Sequence, residues 1–439
     1  MKVFESLSIF FFNVQALAVA LLEKAIACNI CAFILFSPFN NVFSKISFFW
    51  SSIFWISLSV IQHRSKFYRY LIPNTPLNKS LFVFLAVALI SVVLSVDPYH
   101  SQKIFFQRYL FYVIFFWISY ALVSRSRRNI LCFVFSTLAL GTVIGLGGLV
   151  DYFRFHPERL LSVFGKQVNL AIYLCFLFPF NFIVLLKQAR RSFRVWSFVN
   201  IALLYPALIL HASRTVWIAI IPIVLVICLL KDRKFFLFFL VVVIATPIFM
   251  SNLQKSRVRT LLCIFEPTAS GKPVTFDERV ISLTKRGDSL SERIHLVQSA
   301  IAIFTKNPIF GSGPGTFEKL YRPSLGYFQH LHVHVIYLEV LAEMGLIGLV
   351  AFLSIMVIFL KRFIHRFKLW LLNNSCENTV LVGAGSAVFT VLLCNLGISS
   401  ILIGFQDSLL FWFFMAIAVH EKVFDANNFC REKPPKDLV

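Results

Sequence analysis

Apolar runs long enough to cross a bilayer recur along almost the whole 439-residue chain. A helix needs about 20 apolar residues to cross the hydrocarbon core. On that measure the pattern predicts helices near 16–37, 43–62, 80–96, 105–123, 130–150, 166–186, 195–211, 215–230, 235–251, 334–360, 379–398 and 402–420. Glu23 and Lys24 interrupt the first run, and Ser37-Pro38-Phe39-Asn40-Asn41 is a turn between the first and second. The expected fold class is all-α and polytopic, with about twelve transmembrane helices.

The interval 252–333 breaks this rhythm, because it is far longer than an ordinary connection. Inside it Ile294, Val297, Ala300, Ile301 and Phe304 recur at helical spacing, ahead of Lys306-Asn307-Pro308. Ser289 or Ser291 caps the predicted helix, and Glu292 lies in its first turn. An amphipathic helix of this kind lies along the membrane surface or packs on the bundle. The chain therefore divides into helices 1–9 over 1–251, a loop over 252–333, helices 10–12 over 334–420 and a tail over 421–439. No internal or inverted repeat is visible, which weakens a secondary-transporter reading.

Charge gives these helices an orientation. The clusters Arg64/Lys66/Arg69, Arg125/Arg127/Arg128, Lys187/Arg190/Arg191/Arg194, Lys231/Arg233/Lys234 and Lys361/Arg362/Arg366/Lys368 each follow an even-numbered span. All five fall on one side, which the positive-inside rule makes cytoplasmic, with both termini inside and the long loop on the non-cytoplasmic side. That loop carries eleven Lys and Arg against six Asp and Glu. Long loops translocate regardless of charge, so the topology stands, and the excess calls for an anionic partner.

Composition agrees. Hydrophobic residues make up 58% of the chain and charged residues 14%, and mean hydropathy is +0.79. A soluble domain carries about 25% charged residues, so lipid is the expected solvent. The 42 Lys and Arg against 20 Asp and Glu are topology signals here, and no nucleic-acid partner is expected. Of the nine Cys, Cys263 falls in the long loop, and the Cys28/Cys31 pair sits in an apolar run as buried small side chains. Nothing suggests a disulfide framework. Three His at alternate positions, His330, His332 and His334, could suggest a metal, but no other good ligand cluster is visible and none is expected. The apolar N-terminus lacks a clear cleavage site and reads as a retained span.

Four constellations could carry chemistry. Arg214, in His211-Ala212-Ser213-Arg214-Thr215, stands where two apolar spans meet with almost no loop between them. An Arg at a helix centre in hydrocarbon costs about 2.5–3.5 kcal/mol, and less at the interface, so the position marks either a functional cation or a snorkelling helix end. Arg293 opens the amphipathic segment and presents a fork suited to phosphate oxygens, or to a neighbouring acid such as Glu292. Gly311-Ser312-Gly313-Pro314-Gly315-Thr316-Phe317 is a tight turn, or a phosphate cradle without the Lys-Ser/Thr of a P-loop. His330-Leu331-His332-Val333-His334 runs into the tenth span. A His at the mouth of a membrane helix is suited to general-base work, since its pKa lies near working pH. Two Arg and one His on the outer face fit a diphosphate substrate, with Arg holding the anion and His taking a proton from an acceptor.

In this order the residues resemble the O-antigen ligase and O-antigen polymerase superfamily. The resemblance rests on Ser213-Arg214-Thr215, on Arg293 ahead of Asn307-Pro308-Ile309-Phe310-Gly311-Ser312-Gly313-Pro314-Gly315-Thr316-Phe317, and on His334-Val335-Ile336-Tyr337-Leu338-Glu339 through Gly348. Gly165-Lys166-Gln167-Val168-Asn169 is a weaker echo. Its strong part covers roughly residues 210–350, and the chain is most like the ligases. The resemblance implies a metal-independent glycosyltransferase of the bacterial inner membrane, without cofactor, working on the periplasmic side. Its partners would be an undecaprenyl diphosphate-linked glycan and lipid A-core or another glycan acceptor. A polymerase of the same superfamily is the alternative, and a transporter or flippase for a lipid-linked or anionic solute a more distant one. Arg214 and Arg293 match the arginines thought to engage the diphosphate, and His334 the histidine proposed to activate the acceptor. His332, Gly313, Gly315 and Asn169 are accessory candidates. Val335 stands where the family usually has Asn, which could move part of the role of His334 to His332.

Overall fold

Each of the twelve apolar runs forms a helix in the computed structural model, which describes residues 2–62, 71–156, 160, 162–163, 166–167, 170–187, 190–252, 254–255, 289–321, 333–372, 376–397 and 401–421. In chain order these are α1 (Lys2–Phe36), α2 (Asn41–Gln62), α3 (Asn78–Val93) and α4 (Pro98–Ile104), the last continuing through a π-helical stretch, Phe105–Leu110, into α5 (Phe111–Arg125). Next come α6 (Arg127–Phe155), α7 (Leu170–Lys187), α8 (Arg191–His211), α9 (Arg214–Lys231) and α10 (Arg233–Phe249). The returning loop supplies α11 (Ser289–Lys306) and the short α12 (Phe317–Tyr321), followed by α13 (Ile336–Leu372), α14 (Cys376–Cys394) and α15 (Phe405–Ala418).

Among the described residues eight helices are long and apolar enough to cross a membrane, and α3, the end of α14 and α15 are shorter apolar helices. The protein is an all-α polytopic membrane protein. Short helices here have local causes. α3 ends at Val93, and the next residues bond to a distant turn instead: the Val96 amide and the Ser95 hydroxyl both donate to the Ser312 carbonyl. The span expected at 166–186 begins later, because Lys166–Gln167 pairs antiparallel with Ser162–Val163 in a small hairpin before α7.

α7 is the central post. Every residue from Leu170 to Val184 is buried, against α6, α8, α9 and α14. α6 meets α8 through small residues: a Cβ added at Gly145 would lie 2.7 Å from Leu203 Cβ. Such close approach is how helices associate where lipid removes the hydrophobic drive. Beside it Asn200 donates to Asn181 Oδ1 (3.0 Å) and to the Leu138 carbonyl (2.8 Å), and Thr142 donates to Asn200 Oδ1. This buried amide layer is well satisfied, as a low-dielectric interior requires. The outward faces of α2 and α10 expose Ile46, Phe49, Ile53, Phe238, Val241 and Ile248, the apolar surface a lipid solvent accepts.

The turn expected at 37–41 is present. Asn40 Oδ1 accepts the amides of Val42 (2.8 Å) and Phe43 (3.3 Å) and so caps α2. The loop helix α11 forms with its buried face turned by about one position from the expected one. Leu296 and Ala300 are buried and Ile303 packs with them, whereas Ile301 is exposed. The partners are Phe317, Tyr321, Val333 and Ala342, so the helix lies on α12 and the start of α13 rather than facing a flat membrane surface.

Candidate active site

Arg214 owes its place to a two-residue reversal. α8 closes with Ala212 in the left-handed region (φ +54), Ser213 is extended, and α9 starts at Arg214. The Trp217 indole donates to the Leu208 carbonyl (2.9 Å) across the reversal, and buried His211 bonds through Nδ1 to the Leu160 carbonyl (3.0 Å). The half-buried Arg214 therefore combines its own charge with the positive end of α9, a pairing that favours an anion.

His334 precedes α13, half-buried and with φ +61, a region that few non-glycine residues adopt. α13 begins two residues later, where the Ile336 amide donates to the Asn395 carbonyl (3.2 Å) at the end of α14. Two residues further on, a Cβ added at Gly397 would lie 2.9 Å from Thr215 Cγ2. The turn Asn395–Gly397 thus meets both the residue after Arg214 and the start of the helix that His334 precedes. It brings the two to the same end of the bundle, although about 120 residues separate them in sequence.

The remaining expected residues divide. Residue 293 lies in the first half of α11, one turn before buried Leu296, but its side chain is outside the described residues. His332 and Asn169 are outside them too. Val335, at the position where Asn was expected, packs into the apolar cluster with Leu296 and Ala300. Gly311, Gly313 and Gly315 all have positive φ, and the turn they form is held from within the protein. Buried Glu343 accepts the amides of Gly315 (Oε2, 2.7 Å) and Phe317 (Oε1, 3.2 Å). The Ser312 and Gly313 amides go to the Ala342 and Glu343 carbonyls, and Ser101 donates to the Pro314 carbonyl. A Cβ at Gly313 would sit 1.9 Å from Ser95 Oγ, so no side chain fits there. A carboxylate already fills the place a phosphate would take, and the turn clamps α13 to α3 and α4.

Opposite this clamp α13 is broken. Gly345 has φ +66 and ψ −169, and the Leu346 and Ile347 amides donate to the carbonyls of Pro308 and Ile309. Outside the clamp Asp97 caps α4 and pairs with Lys319. The Lys319 ammonium and the His100 amide hold its carboxyl below the usual carboxylate range.

Sequence reasoning missed Arg108 and Lys45. They line a cavity of about 360 Å³ with Gln107, Phe49, Phe111 and Gly404. Arg108 lies in the π-helical stretch, a distortion common at functional sites, and its charge acts on Glu343 and Tyr112. Buried Asp407 also acts on Tyr112. The available signal was Gln107-Arg108 inside an otherwise apolar run.

Residues 199–353 match the O-antigen ligase family. The matched segment takes in Arg214, Arg293, the glycine turn, His332, His334, Glu343 and the break at Gly345. The match supports the resemblance to the O-antigen ligase and polymerase superfamily. A search of curated proteins finds no match to the chain.

Proposed function

We propose that the protein transfers a glycan from undecaprenyl diphosphate to lipid A-core on the periplasmic face of the bacterial inner membrane, as an O-antigen ligase. The observation that carries this reading is that Thr215, next to Arg214, and Ile336, two residues after His334, both meet the Asn395–Gly397 turn, and that Arg214 and His334 both fall in the segment 199–353 that matches the O-antigen ligase family. The periplasmic assignment rests on the five basic loops that follow even-numbered spans.

The chemistry follows from charge. His334 takes the proton of an acceptor hydroxyl, and the oxygen attacks the anomeric carbon. The bond from that carbon to the diphosphate oxygen breaks, with inversion, and the diphosphate leaves with the electron pair. Arg214 and the N-terminus of α9 offset the charge that grows on it, with Arg293 as a second cation. Arg108 and Lys45 add positive charge in the cavity beside Tyr112. Neutralising the leaving group in this way makes a nucleotide or metal unnecessary.

Purified protein in liposomes should transfer glycan from the carrier lipid with neither ATP nor added metal. Arg214→Ala should slow transfer by about 10²-fold or more, as loss of a transition-state charge contact does. Full activity in Arg214→Ala and His334→Ala would remove the site assignment. In cells, deletion should leave polymerised glycan on its carrier and unattached to lipid A-core; loss of the polymer itself would identify a polymerase.

A further inference from the structure

The end of α13 far from His334 carries a second pocket. Its volume is about 490 Å³, and Lys361, Arg362, His365 and Arg366 line one wall while Val419 and Glu421 help form the other. Two of these four side chains build the pocket. Arg362 pairs with Glu421 (2.9 Å), and Arg366 donates to the carbonyls of His420 (3.2 Å) and Glu421 (2.7 Å), tying α13 to the end of α15. The other two are free to bind. Lys361 and His365 stand one turn apart and exposed, with no hydrogen bond or ion pair among the described residues.

From the same helix the geometry points to the occupant: we propose that this pocket holds the headgroup of an anionic phospholipid. Leu346, Val350, Leu353, Val357, Leu360 and Ile364 are each more than a third exposed and recur every three or four residues. They form one apolar stripe, and Lys361 and His365 continue it. The eighteen steps from residue 346 to residue 364 rise roughly 27 Å, close to the thickness of the hydrocarbon core. Acyl chains lying along the stripe would bring the phosphate to Lys361 and His365. Basic pockets between membrane helices take anionic headgroups in this way. The chain's own tail is a poorer occupant, since residues 422–439 carry four Lys and Arg against three Asp and Glu and would be repelled by the pocket.

The test uses the full-length protein in nanodiscs of phosphatidylcholine doped with phosphatidylglycerol or cardiolipin, with retained lipid counted by native mass spectrometry. Loss of the Lys361 charge should lower anionic-lipid retention by about fivefold, the effect of one cation near a charged surface. The double variant Lys361→Gln/His365→Gln should therefore lose most of it, and Lys361→Arg should keep it, which separates lost binding from lost folding. Equal retention by wild type and the double variant would overturn the inference. A photo-cross-linker at Ile364 should capture phospholipid; capture of a peptide from 422–439 would make the tail the occupant and also overturn it. Displacement of the lipid by millimolar inorganic phosphate would assign the site to a soluble anion instead.

Discussion

At Glu343 a buried carboxylate takes the two amides that a phosphate would need at the glycine turn. A buried hydrogen bond contributes about 0.5–1.5 kcal/mol net, and each buried amide left unsatisfied costs about 1–3 kcal/mol. Glu343→Ala should therefore lower stability by about 3 kcal/mol, and Glu343→Gln by less because one carbonyl oxygen can still accept. Thermal unfolding in detergent measures this, and an unchanged melting point would refute the clamp. Gly345 makes a second residue-scale case. Its positive φ and the 2.3 Å separation of an added Cβ from the Ile309 carbonyl oxygen leave alanine no unstrained position. Gly345→Ala should cost about 1–3 kcal/mol, the strain of such backbone, and should loosen the 308–310 segment that bonds to the break. Arg214 was legible from sequence because an Arg between two apolar spans is costly unless it is used. Glu343 was visible only as one letter of a family motif, because its role depends on a turn 28 residues away.

Among elements, the apolar helices were readable because lipid demands one composition over about 20 residues, whatever the packing. α11 was harder. Its apolar positions are compatible with two adjacent faces, and the choice between them came from the shape of α12 and α13, which a periodicity does not encode. The hairpin at 162–167 and the π-helical stretch were invisible for the same reason, since both depend on what lies across from them. The link between α4 and α12 supports a pH prediction. The Asp97 carboxyl is held below its ordinary range by Lys319 and the His100 amide, so the pair is fully formed above the ordinary carboxylate pKa and is lost as pH falls through the lowered value. Amide exchange in 317–321 should be pH-independent above about pH 4 once corrected for intrinsic rates, and faster than expected in stronger acid. Asp97→Asn should show the fast behaviour at every pH. Equal protection in both proteins at neutral pH would show that the pair does not hold α12.

For the molecule as a whole, contacts at the two ends of the bundle bear on sidedness. At one end Lys187 and Lys231 donate to the carbonyls of Trp370 and Leu371 (2.7 and 3.0 Å), with both ammoniums over the Trp370 ring. These residues close three different even-numbered spans. Arg125, at the close of another, pairs with Glu23 and donates to Gln62, which ends α2. Lys187 and Lys231, from two of the basic clusters, thus meet at Trp370, just past a third, and the helix carbonyls they meet are stabilised by that positive charge. Arg214, the start of α13 and the glycine turn gather at the other end. The positive-inside rule turns this polarity into a prediction about living cells. In a cysteine-free background, Lys306→Cys on exposed α11 should react with a membrane-impermeant thiol reagent added to cells whose outer membrane is permeabilised. Lys368→Cys, also exposed but at the basic end, should react only after the inner membrane is opened. The reverse pattern would put the Arg214 and His334 end in the cytoplasm and end the case for a periplasmic transferase. Labelling of both positions from outside would contradict the single-sided grouping of the basic loops.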